Sequence, residues 1–409
     1  MKSTSPRGEG ERIVVVSIAT ETRGGHFIPF HTAVGRIARS LGWRHVCAVD
    51  ETSSNDIPGD WLRCLKHSHD LETPGVQDLV RNRALGTLLS AMARAVGRAW
   101  ELGRTMRDVL LGAARPDERV VVFIEWFNPF HLLALWFGIA RARLRGKGRF
   151  RPSCWIMFHY IFDPPRLHMV ANRLTMRLIE FTIGRGNLKI LAEWEPAASQ
   201  YAAYFRRSVT MMPLTCSWPG KEVKGRDRER GVISCWWPGI PHPRKGSEAI
   251  REIALRTDAR AAEEPPIEIH VPRSLEAQSP AGGPSLVVHE DRMETADYVA
   301  QMESTDVVLL PYDLVPYANV SSGIFMEAVM AGRMPLVTPS TTMASELRRY
   351  GLDRLIADWT APGFWRNVRE LLADEELHGK LVHMRADYLI RFSDDNFAEH
   401  MRGLVRRQR

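Results

Sequence analysis

The chain has little of what marks a secreted, membrane-spanning or metal-bound protein. Its five cysteines, Cys47, Cys64, Cys154, Cys216 and Cys235, form no CxxC pair. An odd set with this spacing excludes a disulfide framework and a zinc site, and reads as reduced thiols of a cytoplasmic protein. Met1 to Glu11 is polar and charged with no apolar run, so no secretory signal is expected. The most apolar stretch, Phe127 to Ala140, is too short to span a bilayer and contains His131, so it reads as a core helix. Internal repeats, low-complexity tracts and heptad runs are also missing, which excludes solenoids and coiled coils.

What is present is a soluble globular composition. Hydrophobic residues make up 44% and charged residues 25% of 409, enough for an ample core in two domains or three. The net charge of +7 is unevenly shared: residues 1–217 hold 30 Lys and Arg against 19 Asp and Glu, and residues 218–409 hold 25 against 29. A basic first half suits an anionic membrane surface or an anionic acceptor, and equally an arginine-rich solvated surface; charge alone leaves both open. Arg141, Arg143, Arg145, Lys147, Arg149 and Arg151 stand at alternate positions and read as a basic loop for phosphate or anionic lipid. Two glycines and no interleaved aromatics exclude a nucleic-acid signature there.

Short β-branched runs alternate with amphipathic segments along the first half. Strands are expected at 12–18, 45–50, 119–125, 154–159, 188–193 and 209–214. Helices are expected at 29–41, once or twice within 77–111, from 129 to 140, and at 172–183 and 195–205. The turn after the first strand carries Gly24, Gly25 and His26. The pattern breaks at Thr215 to Arg230, which places a domain boundary there. It then restarts with strands at 231–236, 267–271, 285–289, 306–312 and 334–339, helices between them, and three helices from 364 to 406. Strands alternating with helices predict parallel sheets.

The stretch Ser321-Ser322-Gly323-Ile324-Phe325-Met326-Glu327 lies between two apolar strands, so its helix should begin at the carboxyl end of the first of them. Free amides at Ser322, Gly323 and Ile324 then face outward with the helix dipole and suit an anion such as a diphosphate. Glu327 sits one turn further in, where its carboxylate can accept from a sugar or ribose hydroxyl. The alternative is an ordinary capped helix with a solvent-facing glutamate.

The run Ser322-Gly323-x3-Glu327-Ala328-x2-Ala331-Gly332-x2-Pro335-Leu336-Val337 resembles the donor segment of the family-4 (group 1) glycosyltransferases. The resemblance implies the GT-B fold, two Rossmann-like parallel-sheet α/β domains facing a central cleft. On that pattern residues 1–220 are an acceptor-side domain, 221–390 a nucleotide-sugar domain, and 391–409 a helix crossing back to the first. Gly24 and Gly25 match the family's first glycine loop, and His159 its histidine near the reacting sugar. Lys245 before Gly246 matches the lysine that grips the donor diphosphate; Ile240 stands where the family has an arginine, and Arg244 is the substitute at hand. Arg292 and Met293 lie where the family holds the base, and Asn319 stands where it has a glutamate at the donor sugar.

The resemblance further implies transfer of a sugar from a nucleotide sugar, UDP- or GDP-linked, to a glycan, lipid-linked or small acceptor, with retention. No cofactor is implied and no metal, since no DxD pair flanks the phosphate site; no nucleic-acid partner is expected. The location implied is the cytoplasm or the inner face of the membrane. Two other readings keep the fold: an epimerase or hydrolase using Glu125, His159 and Asp163, or a non-catalytic module that binds a membrane or partner, which Asn319 and Ile240 favour.

Overall fold

The computed structural model describes residues 12–22, 27–53, 57–69, 71, 85–146, 150–159, 166–215, 218, 231–239, 241–259, 265–275 and 278–406. Gly24, Gly25, His26, Asp163, Lys147, Arg149 and Ile240 lie outside them. The chain divides into two compact units, one of Met1–Thr215 with Asp394–Arg409, the other of Cys216–Ser393.

The first unit is built on seven parallel strands: β1 (Arg12–Ala19), β2 (Arg44–Asp50), β3 (Leu62–Leu65), β4 (Glu118–Glu125), β5 (Ser153–Phe158), β6 (Leu188–Ala192) and β7 (Thr210–Met211). They stand in the order β3-β2-β1-β4-β5-β6-β7. β1 lies between β2 and β4, with Val16 opposite Val46 on one side and Val122 on the other. Its direction of travel reverses there, which leaves a crevice at the carboxyl ends of β1 and β4.

Because successive strand residues face opposite ways, the apolar runs feed two cores at once. Ile13 and Val15 of β1 pack with Phe30, Val34 and Ile37 of α1 (Phe27–Ser40) and with Phe397, Met401 and Leu404 near the end of the chain. Val14, Val16 and Ile18 pack on the other face against three helices: α2 (Leu85–Ala113), α3 (Pro129–Arg145) and α4 (Arg166–Ile183). Each such fully buried Val, Leu or Ile is worth roughly 1.5–3 kcal/mol of transfer free energy. α2 and α3 approach closely where a Cβ on Gly103 would stand 2.8 Å from the Ala134 carbonyl oxygen.

Several expectations are corrected here. β3 falls in a stretch to which no element was assigned; its Leu-Arg-Cys-Leu composition is too short to show a period. The strand expected at 209–214 is two residues long, at the sheet edge. Arg141, Arg143 and Arg145 are not in a loop but in the last turns of α3, where the Arg141 guanidinium lies over the Trp100 ring, 3.4 Å from its centroid. An alternating pattern of cations carries no apolar period, so the helix passing through it was hidden. Phe127 to Ala140 does lead into a helix of the core, opened by Asn128, which accepts from the Phe130 and His131 amides.

The second unit has five parallel strands in the order β10-β9-β8-β11-β12: β8 (Ile233–Trp236), β9 (Ile267–Pro272), β10 (Ser285–His289), β11 (Val307–Leu310) and β12 (Met334–Val337). The order again reverses, between β8 and β11. Helices α6 (Ser247–Ala254), α7 (Thr295–Ser304), α9 (Gly323–Met330), α10 (Thr342–Arg349), α11 (Phe364–Ala373) and α12 (Glu375–Arg391) surround it, with α5 (Glu195–Phe205) and α13 (Asp394–Arg406) in the first unit and a short unexpected α8 at Leu314–Tyr317. Glu346 of α10 is structural: it accepts from Tyr388 and pairs with Arg391.

Candidate functional site

The reversal between β8 and β11 is where the second unit gathers its functional side chains. The loop after β8 ends in a single 3₁₀ turn, Pro243–Lys245, capped by the His242 ring, which accepts from the Arg244 amide. Gly246 follows with φ +78°, and a Cβ there would lie 1.9 Å from the Pro311 carbonyl oxygen, so only glycine fits. The Asp313 amide donates to the Arg244 carbonyl at 2.9 Å. The loops after β8 and β11 are thus sewn together, and the Trp237 indole N–H fastens the turn from behind by donating to the Lys245 carbonyl at 3.2 Å.

This stitching sets the direction of Lys245. Its ammonium stands 3.0 Å from where a Cβ on Gly239 would be, and the Ile324 Cδ1 is 3.9 Å from the same point. The cation therefore lies beside the first turn of α9. There Ser322 is the N-cap, its Oγ accepting from the Phe325 amide at 3.3 Å, and nothing stands within 4 Å of where a Gly323 Cβ would be. The amides of that turn and the helix dipole face open space at Gly323, with the ammonium near the Ile324 side chain. Burial lowers the Lys245 pKa, and no carboxylate among the described residues is paired with it. A half-buried cation with no carboxylate partner among the described residues, next to a helix N-terminus, suits an anion from outside.

Glu327 is half-buried one turn along α9. Burial raises its pKa, and the Tyr298 hydroxyl, donating to Oε2 at 2.5 Å, works the other way. Tyr298 in turn lies edge-on to Trp236 at the end of β8, 5.1 Å between centroids. Tyr312 is buried behind the cap, hydrogen-bonded to Ser322 and 4.3 Å from the Tyr317 ring. Arg244 is exposed, with its charge felt at Tyr317. Arg292 and Met293 lie on the turn before α7, the first exposed and the second half-buried; Asn319 is exposed and Ser321 half-buried in the loop before α9. The structure sets the Lys245 ammonium and the Ile324 side chain both against Gly239, keeps Ser322 as the cap of α9, and ties Glu327 to Tyr298. Among the described residues, it shows no hydrogen bond from Arg292 or Asn319 to this group.

The first unit has its own cluster, at the carboxyl ends of β4, β5 and β6. His159 is held between two carboxylates: Nδ1 is 2.9 Å from Glu193 and Nε2 is 2.5 Å from Glu125. His31 of α1 reaches the other Glu125 oxygen at 3.1 Å. All of these side chains are almost fully buried. Burial opposes charge on His159, but the Glu125 charge and the bonds to both carboxylates outweigh it and hold the ring's pKa up at about 10. Burial would likewise raise Glu125, yet the His31 and His159 charges pull it down to about 2. His159 is a clamped imidazolium with both ring nitrogens engaged.

Sequence reasoning passed over His31, Glu193, Tyr298 and Gly239. Glu193 stood at the end of an expected strand, where sheets of this type place functional groups, so a signal existed. Tyr298 and His31 sit inside helices, and only the fold shows what they reach.

No family model matches the chain, and none of the curated proteins matches it. Solved structures do. A trehalose-6-phosphate phosphatase N-terminal domain from Candida albicans aligns with 100% of this chain and 99% of its own, at 10% identity and TM-score 0.61. An α,α-trehalose-phosphate synthase (UDP-forming) from Burkholderia vietnamiensis aligns over 97% and 99%, at 14% identity and TM-score 0.60. A trehalose-6-phosphate protein from E. coli, bound with UDP-2-fluoro glucose, aligns over 97% and 99%, at 12% identity and TM-score 0.58.

The fold is GT-B. The Lys245 cluster lies at the reversal point of the second sheet, and the His159 cluster runs from the end of β4, beside the reversal point of the first, to the end of β6.

Proposed function

We propose that the protein is a glycosyltransferase that takes its sugar from a nucleotide sugar bound by the second unit. The observation that carries this reading is the Lys245 ammonium, without a carboxylate partner, beside the open first turn of α9. As the glycosidic bond to the nucleotide breaks, charge gathers on the departing diphosphate; Lys245 and the Ser322, Gly323 and Ile324 amides stabilise it where it forms. Arg244 is exposed near enough to add a second cation. Glu327, oriented by Tyr298, accepts from a ribose hydroxyl, and Arg292 and Met293 flank the base. Asn319 faces the donor sugar. Cations then do the work a metal does elsewhere.

Two neighbours name UDP, one as UDP-forming and one bound with UDP-2-fluoro glucose, which makes UDP the first nucleotide to test and GDP the second. The acceptor, a glycan, lipid-linked or small molecule, falls to the first unit, whose basic surface also suits an anionic membrane face. No described helix is long and apolar enough to cross a membrane. We place family 4 and retention of configuration in this reading because the Ser322-to-Val337 run resembles that family. The epimerase or hydrolase reading is weakened by the first unit's cluster: Glu125 and His159 are buried and bound to each other, which leaves neither of them presented to a sugar.

The test is release of nucleoside diphosphate from UDP- and GDP-sugars, with and without a panel of acceptors. The expected result is release that requires an acceptor and falls about 10²- to 10³-fold in Lys245→Ala. Equal release without acceptor would assign a hydrolase, and no release with any pair would assign a binding module.

A further inference from the structure

We propose that the outward face of α4 and the arginine pocket at its C-terminal end form a docking site for an anionic lipid bilayer. It names a place for the membrane contact mentioned above and does not depend on the sugar chemistry.

Three observations carry it. First, α4 turns apolar side chains to solvent in register: Val170, Leu174 and Phe181 are 60%, 58% and 90% exposed. At 100° per residue these three fall within about 40° of one another on the helix, opposite the buried Met176, Ile179 and Ile183. An apolar row on the solvent face contributes nothing to the core of this unit.

Second, the same face is bordered by cations. Arg173, Arg177, Arg185, Arg206 and Arg207 line one cavity of about 240 Å³, room for several waters or a phosphate group. Among the described residues, Arg207 alone of these has a carboxylate partner, Glu180, at 2.5 Å. Arg177 lies in the apolar row itself, between Leu174 and Phe181. Cations with long stems around apolar side chains match the interface of an anionic bilayer, where phosphates sit above acyl chains.

Third, the pattern extends across the layer. Among the described residues, eight large apolar side chains of the first unit are exposed and seven lie on α2, α3 and α4: Met92, Val96 and Trp100 in one row of α2, Leu144 of α3, and the three of α4. α3 and α4 are joined by the Trp136 indole, which donates to Thr182 at 3.1 Å. A soluble monomer scatters such residues singly; a row on adjacent helices marks a surface that meets something apolar. Its charge selects an anionic lipid surface.

The experiment is flotation of the purified full chain with phosphatidylcholine vesicles, alone or containing phosphatidylglycerol, at low and high salt. The chain should float with the anionic vesicles and stay behind with the neutral ones. Arg177→Ala with Arg185→Ala should weaken binding about thirtyfold, fivefold per charge at the surface. Phe181→Ser with Leu174→Ser should remove the part of the binding that survives high salt. Both pairs are at exposed positions, so unchanged melting temperatures will show that folding is intact. The proposal is overturned if the chain ignores anionic vesicles, if both double variants float like the parent, or if inorganic pyrophosphate displaces it fully at low salt, which marks a soluble-anion pocket. It is also overturned if Phe181→Ser abolishes a dimer seen by sedimentation, which assigns the face to a second copy.

Discussion

At the residue scale the account rests on Lys245 and on the glycine that follows it. Lys245→Ala removes a charge-assisted contact to a diphosphate, worth about 1.5–3 kcal/mol. It should therefore weaken nucleoside diphosphate binding by roughly ten- to a hundredfold, read by titration calorimetry, without lowering the melting temperature of the free protein. Glu327→Gln keeps the shape and the Tyr298 contact, and should cost less. Gly246→Ala is different in kind. A methyl group 1.9 Å from the Pro311 oxygen, at φ +78°, forces the loops after β8 and β11 apart. Binding should be lost together with stability, and the variant should melt earlier.

Much of this was readable at the residue scale, because Lys-Gly and Ser-Gly-x3-Glu name both their residue types and their spacing. Gly239 and Tyr298 were not readable. Gly239 meets Lys245 and Ile324 only where two loops come together, and Tyr298 reaches Glu327 from another helix; a single chain carries no mark of either. His159 illustrates the limit from the other side. Its place at the end of β5 was legible, but its clamping between Glu125 and Glu193 depends on the order of β4, β5 and β6 in the sheet.

At the scale of elements, α13 is the clearest case. Its residues Phe397, Met401 and Leu404 fill the face of the first sheet beside α1, and Arg36 of α1 pairs with Asp394 at its start at 2.7 Å. The last helix of the chain is thereby part of the first unit's core. Phe397→Ala should destabilise that unit by about 3–5 kcal/mol, the cost of emptying a large buried ring, while the second unit's melting is unchanged. Calorimetry that resolves two transitions would check it. The alternation of strands and helices was legible because nearly every strand is a short, mostly apolar run between amphipathic segments. β3 and β7 were hidden or overdrawn because short edge strands carry little apolar pattern, and the end of α3 was hidden by its arginines.

At the scale of the whole molecule, the buried histidines of the first unit give stability a defined pH dependence. His45 and His131 are pushed down by burial, to about 3 and about 4. As pH falls below the ordinary value of 6.5, the unfolded chain takes up these protons and the folded one does not, so stability declines across that window. His159 is opposite in sign. Its folded pKa of about 10 lies above 6.5, so its contribution is full below 6.5 and is lost as pH rises toward 10. The melting temperature should therefore peak near neutrality. His159→Gln should lower that peak, because it removes the cation that Glu125 and Glu193 share, and should flatten the alkaline limb. A limb unchanged in the variant would show that His159 does not carry it.

The central claim is that the reversal point of the second sheet holds a nucleoside diphosphate. Thermal melting with UDP, GDP, ADP, CMP and dTDP, on the parent and Lys245→Ala, tests it most directly. A ligand at a hundred times its Kd adds about 2.7 kcal/mol, which is readily seen as a higher melting temperature. The account predicts a rise with a uridine or guanosine diphosphate that falls to about half or less in Lys245→Ala. No rise with any nucleotide, or one undiminished by the loss of Lys245, would contradict it and leave Ser322 to Glu327 an ordinary capped helix.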